Sequence, residues 1–211
     1  MCIRDSLADS LVGQQGVPED LYQEFMRDIT AEIDRENRII TDLLTLVKMD
    51  KKNADLQIQH MSINQLLEDI LKRLRPIADK RNIDLILDSF RPVEADVDEL
   101  KFTSAISNLV ENAIKYNVDD GWVRVSLDAD HKFFYVTVAD SGMGIPEDSL
   151  SRIFERFYRV DKSHSREIGG TGLGLAITRS TIGMHHGVIK VFSKEGEGTT
   201  FSVRVPLSYI P

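Results

Sequence analysis

Apolar residues recur at Phe25, Ile29, Ile33, Ile40, Leu43 and Val47, with Glu36 interrupting the series. Spacings of three and four place them on one face of a long helix. Pro18, Glu19 and Asp20 suit its first turn, where proline loses no needed hydrogen bond and acids face the positive end of the dipole. No glycine or proline falls between Pro18 and Pro76. A helix of that length cannot bury its stripe alone, so it either packs on its own domain or joins a dimerising helical hairpin. The hairpin is the better expectation, because the stripe ends at Asp50-Lys51-Lys52-Asn53, a polar cluster that reads as a linker. Upstream, Gly13-Gln14-Gln15-Gly16 is a loop signature.

Beyond the linker, helices and strands alternate. Residues 64–81 predict a helix with Leu66, Leu67, Ile70, Leu71 and Leu74 inward, followed by a short strand over 83–87. A second helix lies within 97–117, with Phe102, Ile106, Leu109, Val110 and Ala113 inward. Strands over 123–127 and 133–139 flank the turn Asp128-Ala129-Asp130. A third helix is expected over 173–185, then strands over 187–193 and 199–206 around Gly196-Glu197-Gly198. Short turns between sequential strands imply an antiparallel or mixed sheet with helices on one face.

The 211 residues are enough for one ordinary domain plus an extra element. With 26 basic and 34 acidic residues the net charge is -8, the wrong sign for coating nucleic acid or an anionic membrane. Cys2 is the only cysteine, which excludes an intrachain disulfide and a cysteine-based metal site and fits a reducing cytoplasm. Apolar runs such as 133–139 fall far short of the roughly 18–20 residues that span a bilayer.

Four segments carry candidate chemistry. In Asn108-Leu109-Val110-Glu111-Asn112-Ala113-Ile114-Lys115-Tyr116, helical spacing puts Asn108, Asn112 and Lys115 on one polar face. A carboxamide can ligate Mg²⁺ without adding negative charge beside phosphates, and lysine can neutralise them; a solvated helix face gives the same pattern. Asp140-Ser141-Gly142-Met143-Gly144 follows an apolar strand. There a carboxylate can accept from the amino group of adenine and disfavour the oxygen that guanine presents at that place; many such strings are merely turns. Gly169-Gly170-Thr171-Gly172-Leu173-Gly174 runs into a helix and can cradle an anion or act as a hinge. It matches neither the Walker nor the Rossmann pattern. Between these lies Ile153–Arg166, read as a lid pinned by Phe154 and Phe157 with arginines available for phosphate.

In this order, closed by Gly196–Phe201, the segments resemble the N, G1, F, G2 and G3 boxes of sensor histidine kinases, members of the GHKL superfamily, over roughly residues 58–207. The preceding helix resembles the second helix of the family's HisKA-type dimerisation hairpin. The resemblance implies an α+β chain: a Bergerat-type α/β sandwich of a mixed sheet with helices on one face, preceded by a long helix. Residues 1–53 would be a partial dimerisation and phosphotransfer region and residues 54–211 the catalytic, ATP-binding domain. It further implies ATP and Mg²⁺, with Asn112 holding the metal, Asn108 and Lys115 near the phosphates, and Tyr116 lining the adenine pocket. Asp140 would read the base, Gly142 and Gly144 would shape the nucleotide floor, and Gly170, Gly172 and Gly174 would close over the phosphates. Arg159 would be a lid-side phosphate contact. Glu111 either assists proton removal or is simply an exposed helix acid.

Implied partners are a second copy through the hairpin and a response regulator of a bacterial two-component system. No nucleic acid and no direct membrane contact are expected. The fragment is expected in the cytoplasm, with any membrane anchor carried by its parent.

The family's phosphoacceptor is a histidine followed by an acid. The five histidines here, at 60, 131, 164, 185 and 186, precede Met61, Lys132, Ser165, His186 and Gly187. The chain therefore reads as the C-terminal part of a longer kinase, beginning near the end of the first helix around Ser6–Val12, with the acceptor missing and Met1–Ser6 of doubtful origin. Such a chain would bind ATP without labelling itself. Alternatives on the same fold are a GHKL ATPase, a serine kinase of the anti-sigma type, and a non-catalytic ATP-binding scaffold. The ATPases place a glutamate four residues before the metal asparagine; here that position is Asn108, which cannot act as a base. His185 and His186 are not expected to share a metal, since adjacent helical residues diverge by about 100°.

Overall fold

The structure, a computed structural model, describes residues 19–49, 56–160 and 170–210. The expectations for Ser6–Val12, Gly13–Gly16, Pro18, the linker at Asp50–Asn53, and lid residues 161–166, with His164, lie outside these. The chain divides into two compact units between Ile40 and Thr41.

In the first unit runs most of helix α1 (Glu19–Met49). Of its expected stripe, Phe25 and Ile29 are half-buried, whereas Ile33 and Ile40 are more than 50% exposed. In the second unit the last turns of α1 correct the expectation. Leu46, not Val47, is buried, and it forms a small cluster with Leu173 and Ile177, against which Leu43 packs.

The remaining elements of the second unit are β1 (Ile58–Ser62), α2 (Ile63–Asp79), β2 (Asp84–Ser89), β3 (Glu94–Asp98), α3 (Glu99–Lys115) and β4 (Trp122–Ala129). They are followed by β5 (Phe133–Asp140), α4 (Glu147–Leu150), α5 (Gly174–Met184), β6 (Val188–Lys194) and β7 (Gly198–Pro206). Five strands form one mixed sheet in the order β2-β4-β5-β7-β6, parallel between β2 and β4 and antiparallel elsewhere. A separate antiparallel pair, β1 and β3, was not expected from the sequence. Each of these strands has only five residues and little period-2 alternation, so the pairing is set by tertiary contacts. The first hairpin also turns later than expected: Asp128 and Ala129 belong to β4, and Asp130 makes the turn by accepting from the N–H groups of Lys132 and Phe133.

Strand alternation and helical periodicity converge on one core. Leu66, Leu67, Ile70, Leu71 and Leu74 of α2, and Phe102, Ile106, Leu109, Val110 and Ala113 of α3, are all buried. They meet the inward residues of the sheet, including Val125, Phe134, Val136, Val138 and Val203. The side chain of Asp98 caps α3 by accepting from Lys101 N–H at 3.0 Å.

His185, at the end of α5, is part of this core and no ligand. Its Nε2 accepts from Asp98 N–H at 2.9 Å, its Nδ1 donates to the Thr181 carbonyl at 2.8 Å, and its ring meets Phe102 edge-on. Burial holds it below the ordinary histidine range, so it stays neutral. His186 instead stacks on Tyr209. His185→Ala leaves Asp98 N–H and the Thr181 carbonyl unpaired beside a cavity, and is expected to cost about 2–4 kcal/mol in urea unfolding.

Candidate functional site

Asp140 ends β5, with its carboxylate buried. Oδ1 accepts from Gly142 N–H at 2.8 Å and from Thr199 N–H at 3.3 Å. Among the described residues Oδ2 has no hydrogen-bond partner. Burial pushes the carboxyl up to about 6, against the two backbone donors, which pull it down.

The loop after Asp140 is pressed onto the end of α3. A Cβ at Gly142 would lie 2.4 Å from the Tyr116 carbonyl oxygen, which accepts from Met143 N–H at 3.0 Å. Gly144 takes a positive φ of 71°, with the Lys194 carbonyl where a Cβ would sit. Only glycine allows both approaches.

Tyr116 links the Asp140 loop to a cationic end. Its half-buried ring lies 5.1 Å from Lys115 Nζ, and burial raises its hydroxyl pKa while the charge of Arg159 opposes the rise. Arg159 donates to the Gly170 carbonyl at 2.7 Å, and a Cβ at Gly170 would stand 2.6 Å from Lys115 Nζ. Gly174, opening α5, faces the Asn108 carboxamide at van der Waals distance. The structure therefore gathers Asn108, Lys115, Tyr116, Arg159, Gly170 and Gly174 into one region. Asn112 lies one turn beyond Asn108 on α3; both are half-buried, and among the described residues neither carboxamide has a protein hydrogen bond. Glu111 is exposed, on the rim of the cleft between α2 and α3.

The lid base differs from expectation. Phe154 is anchored, edge-on to Phe201, but Phe157 is 56% exposed with φ of +63°. Its N–H donates to the Gly172 carbonyl, so it shapes the glycine loop through its backbone. The second anchor is Tyr158, which donates to Ser149 Oγ at 3.0 Å and lies under Arg152.

Two supports were missed. Arg81 donates to the carbonyls of Ile114, Lys115 and Asn117 at 2.8–3.0 Å, satisfying the open end of α3 where the site turns. Buried Asn117 accepts from Val118 N–H and Ser141 Oγ and donates to the Trp122 carbonyl, tying α3's exit to the Asp140 loop. No sequence signal marks Arg81, since its partners are backbone groups; the adjacency of Asn117 to the Asn108–Tyr116 segment is the only hint for the other.

A spare carboxylate oxygen on one side of Tyr116, with carboxamides, cations and a glycine-rich helix start on the other, suits a nucleotide. Residues 97–209 match the family model for histidine kinase-, DNA gyrase B- and HSP90-like ATPases. The chain is 34% identical over 191 residues to the sensor histidine kinase WalK of Bacillus subtilis, covering 89% of this chain and 31% of the relative. The catalytic domain of the histidine kinase ThkA superposes with a TM-score of 0.65 at 26% identity, over 72% of this chain and 99% of that one. ThkA in complex with the response regulator protein TrrA shares the fold more widely, with a TM-score of 0.77 at 23% identity over 96% of this chain and 56% of that one. The chain spans 31 to 52% of the length of the curated relatives it resembles. With more than half of its residues inside the matched region, the chain belongs to the family of histidine kinase-, DNA gyrase B- and HSP90-like ATPases.

Proposed function

We propose that the chain is the catalytic part of a sensor histidine kinase: it binds ATP with Mg²⁺ and passes the γ-phosphoryl group to a histidine on a dimerisation helix, for relay to a response-regulator aspartate. The supporting observation is the Asp140 carboxylate, fixed through Oδ1 by two backbone donors while Oδ2 is left for a ligand donor such as the adenine amino group. In this reading Tyr116 lines the base pocket over Gly142 and Gly144, and Lys115, Arg159 and the loop of Gly170, Gly172 and Gly174 hold the phosphates.

No group of three or more histidine, cysteine, aspartate or glutamate side chains among the described residues forms a metal site. In this reading a divalent ion would rest on the Asn112 carboxamide, with Asn108 beside it and phosphate oxygens completing its shell, the way Mg²⁺ usually meets nucleotides. Bound there it would neutralise charge on the transferring group. Asn108 offers no base for water, which favours transfer over hydrolysis. In this reading Glu111, on the same helix, is the candidate proton acceptor for the incoming imidazole.

We assign residues 1–53 to a partial dimerisation and phosphotransfer region and 54–211 to the catalytic domain. The exposed Ile33 and Ile40 support dimerisation through α1. The response-regulator partner follows the family resemblance and the complex known for ThkA. No described helix is long and apolar enough to cross a membrane; a cytoplasmic location, with any anchor elsewhere in the parent, is part of the proposal.

The test uses ATP labelled at the γ-position, with and without a separate first-helix peptide carrying a His-Glu pair. Acid-labile label on the peptide histidine, with little phosphate released in its absence, is expected. Brisk hydrolysis without the peptide would instead indicate an ATPase.

A further inference from the structure

Asp140, Thr199 and Ser193 stand in one row across neighbouring strands: Asp140 of β5 is paired with Thr199 of β7, and Thr199 with Ser193 of β6. Residues directly opposite on adjacent strands project to the same face, so the carboxylate and the two hydroxyls follow one another along the row. Among the described residues Ser193 Oγ has three partners. It accepts from Ile145 N–H at 2.8 Å, donates to the Gly198 carbonyl at 2.9 Å and lies 2.9 Å from Thr199 Oγ1. A hydroxyl has one proton and two lone pairs. With its own proton on Gly198, Ser193 takes the proton of Thr199, and its capacity is filled.

Each partner bears on Asp140. Thr199 N–H donates to Asp140 Oδ1. Gly198 is pressed onto the Asp140 carbonyl, where a Cβ would overlap it. Ile145 closes the loop that begins at Asp140 and includes Gly142, whose N–H is the other donor to Oδ1. The bonds form a ring that runs from Asp140 to Thr199, through the two hydroxyls to Ser193, on to Ile145 and back along the chain. Other contacts from the same hairpin, Gly196 N–H on the Met143 carbonyl and the Lys194 carbonyl against Gly144, act on the middle of the loop. Ser193 is the group that joins the end of the loop to the residue holding the carboxylate.

We propose that Ser193 is a positioning residue for base selection, fixing through Thr199 and Ile145 the direction in which Asp140 Oδ2 faces a nucleotide. This rests on Asp140 as the base-reading group. A carboxylate anchored through one oxygen selects a base only if that anchor is rigid, because selection depends on where the other oxygen points. Without the Ser193 hydroxyl, Ile145 N–H and the Gly198 carbonyl lose their partner, and the donors to Oδ1 can drift from it.

The test compares Ser193→Ala, Ser193→Thr and Val191→Ala in the whole chain. Calorimetry with Mg²⁺ gives the affinities for ATP and GTP. Carboxyl ¹³C NMR of the nucleotide-free protein gives the Asp140 titration, assigned by its absence in Asp140→Asn. Burial and the two backbone donors set that titration, and weaker donors let it rise. Ser193→Ala is expected to narrow the preference for ATP over GTP about fivefold or more. It should also raise the titration midpoint, about 6 in the parent, by about half a pH unit or more. Ser193→Thr keeps a hydroxyl in a favourable cross-strand pair and should stay near the parent in both. Val191→Ala removes core packing from the same strand and lowers the melting temperature, yet should leave both unchanged. Parental preference and midpoint in Ser193→Ala would overturn the proposal. So would a Ser193→Thr protein that behaves like Ser193→Ala, or equal changes in Val191→Ala. Selectivity lost in Asp140→Asn but kept in Ser193→Ala removes the positioning role alone, whereas a parent with no preference for ATP removes the base-reading role of Asp140 as well.

Discussion

Asp140→Asn is expected to stabilise the nucleotide-free protein while weakening its hold on ATP. The Asp140 carboxyl titrates at about 6, against an ordinary 3.8, so between those values the folded state binds more protons than the unfolded one. Stability therefore falls as pH rises through this window, and above it the buried charge costs on the order of 3 kcal/mol. Asparagine removes the charge yet keeps an Oδ1 able to accept from Gly142 and Thr199. At pH 7.5 the melting temperature should rise by roughly 5 °C or more, and the gain should vanish near pH 4. In the same variant the amide nitrogen replaces Oδ2 and faces the adenine amino group donor to donor. Affinity for ATP should drop by about 1–3 kcal/mol, roughly five- to 150-fold, and the preference over GTP should relax because guanine presents an acceptor there. For the parent, ATP affinity should decline as pH falls below about 6, as Oδ2 gains a proton. Calorimetric melting and nucleotide titration at pH 4, 6 and 7.5 check both signs. Unchanged affinity and base preference would remove Asp140 from the base-reading role.

Asn112→Ala should leave the fold intact and remove Mg²⁺-dependent transfer. Asn112 is a half-buried helix-interior residue without a side-chain hydrogen bond among the described residues, and alanine is the better helix former. Urea unfolding should accordingly be unchanged or shifted slightly upward. An ion that neutralises the transferring phosphoryl group is worth several kcal/mol, so transfer to the supplied helix peptide should fall on the order of a thousandfold. Nucleotide affinity measured with and without Mg²⁺ separates the explanations: the variant should lose the metal-dependent increment while keeping the metal-free affinity. Activity near that of the parent would place the ion elsewhere.

The two variants depend on opposite kinds of legibility. The helix carrying Asn108, Asn112 and Lys115 was readable because its apolar partners repeat at 3.6 and its polar face is what remains. The main strands were readable because alternation survives wherever one face is buried, as in Val123–Leu127 and Phe134–Val138. Phe157 was misread because an aromatic residue signals burial only on average, and here the backbone takes a left-handed turn that points the ring outward. The pair β1 and β3 escaped for the related reason that short, half-polar strands have no periodicity apart from their partner.

Local chemistry along the chain determined which residues can bend, cap, bury or bear charge, and thus the helices, the main sheet and the ordered motifs of the site. Only tertiary structure decided that Asp140 loses water and so titrates near 6. The same holds for Arg81, which closes α3 through backbone carbonyls, and for Leu46, which replaces Val47 at the buried contact. Desolvation and partner choice depend on what the rest of the fold brings within a few ångströms, and no spacing along the chain encodes that distance.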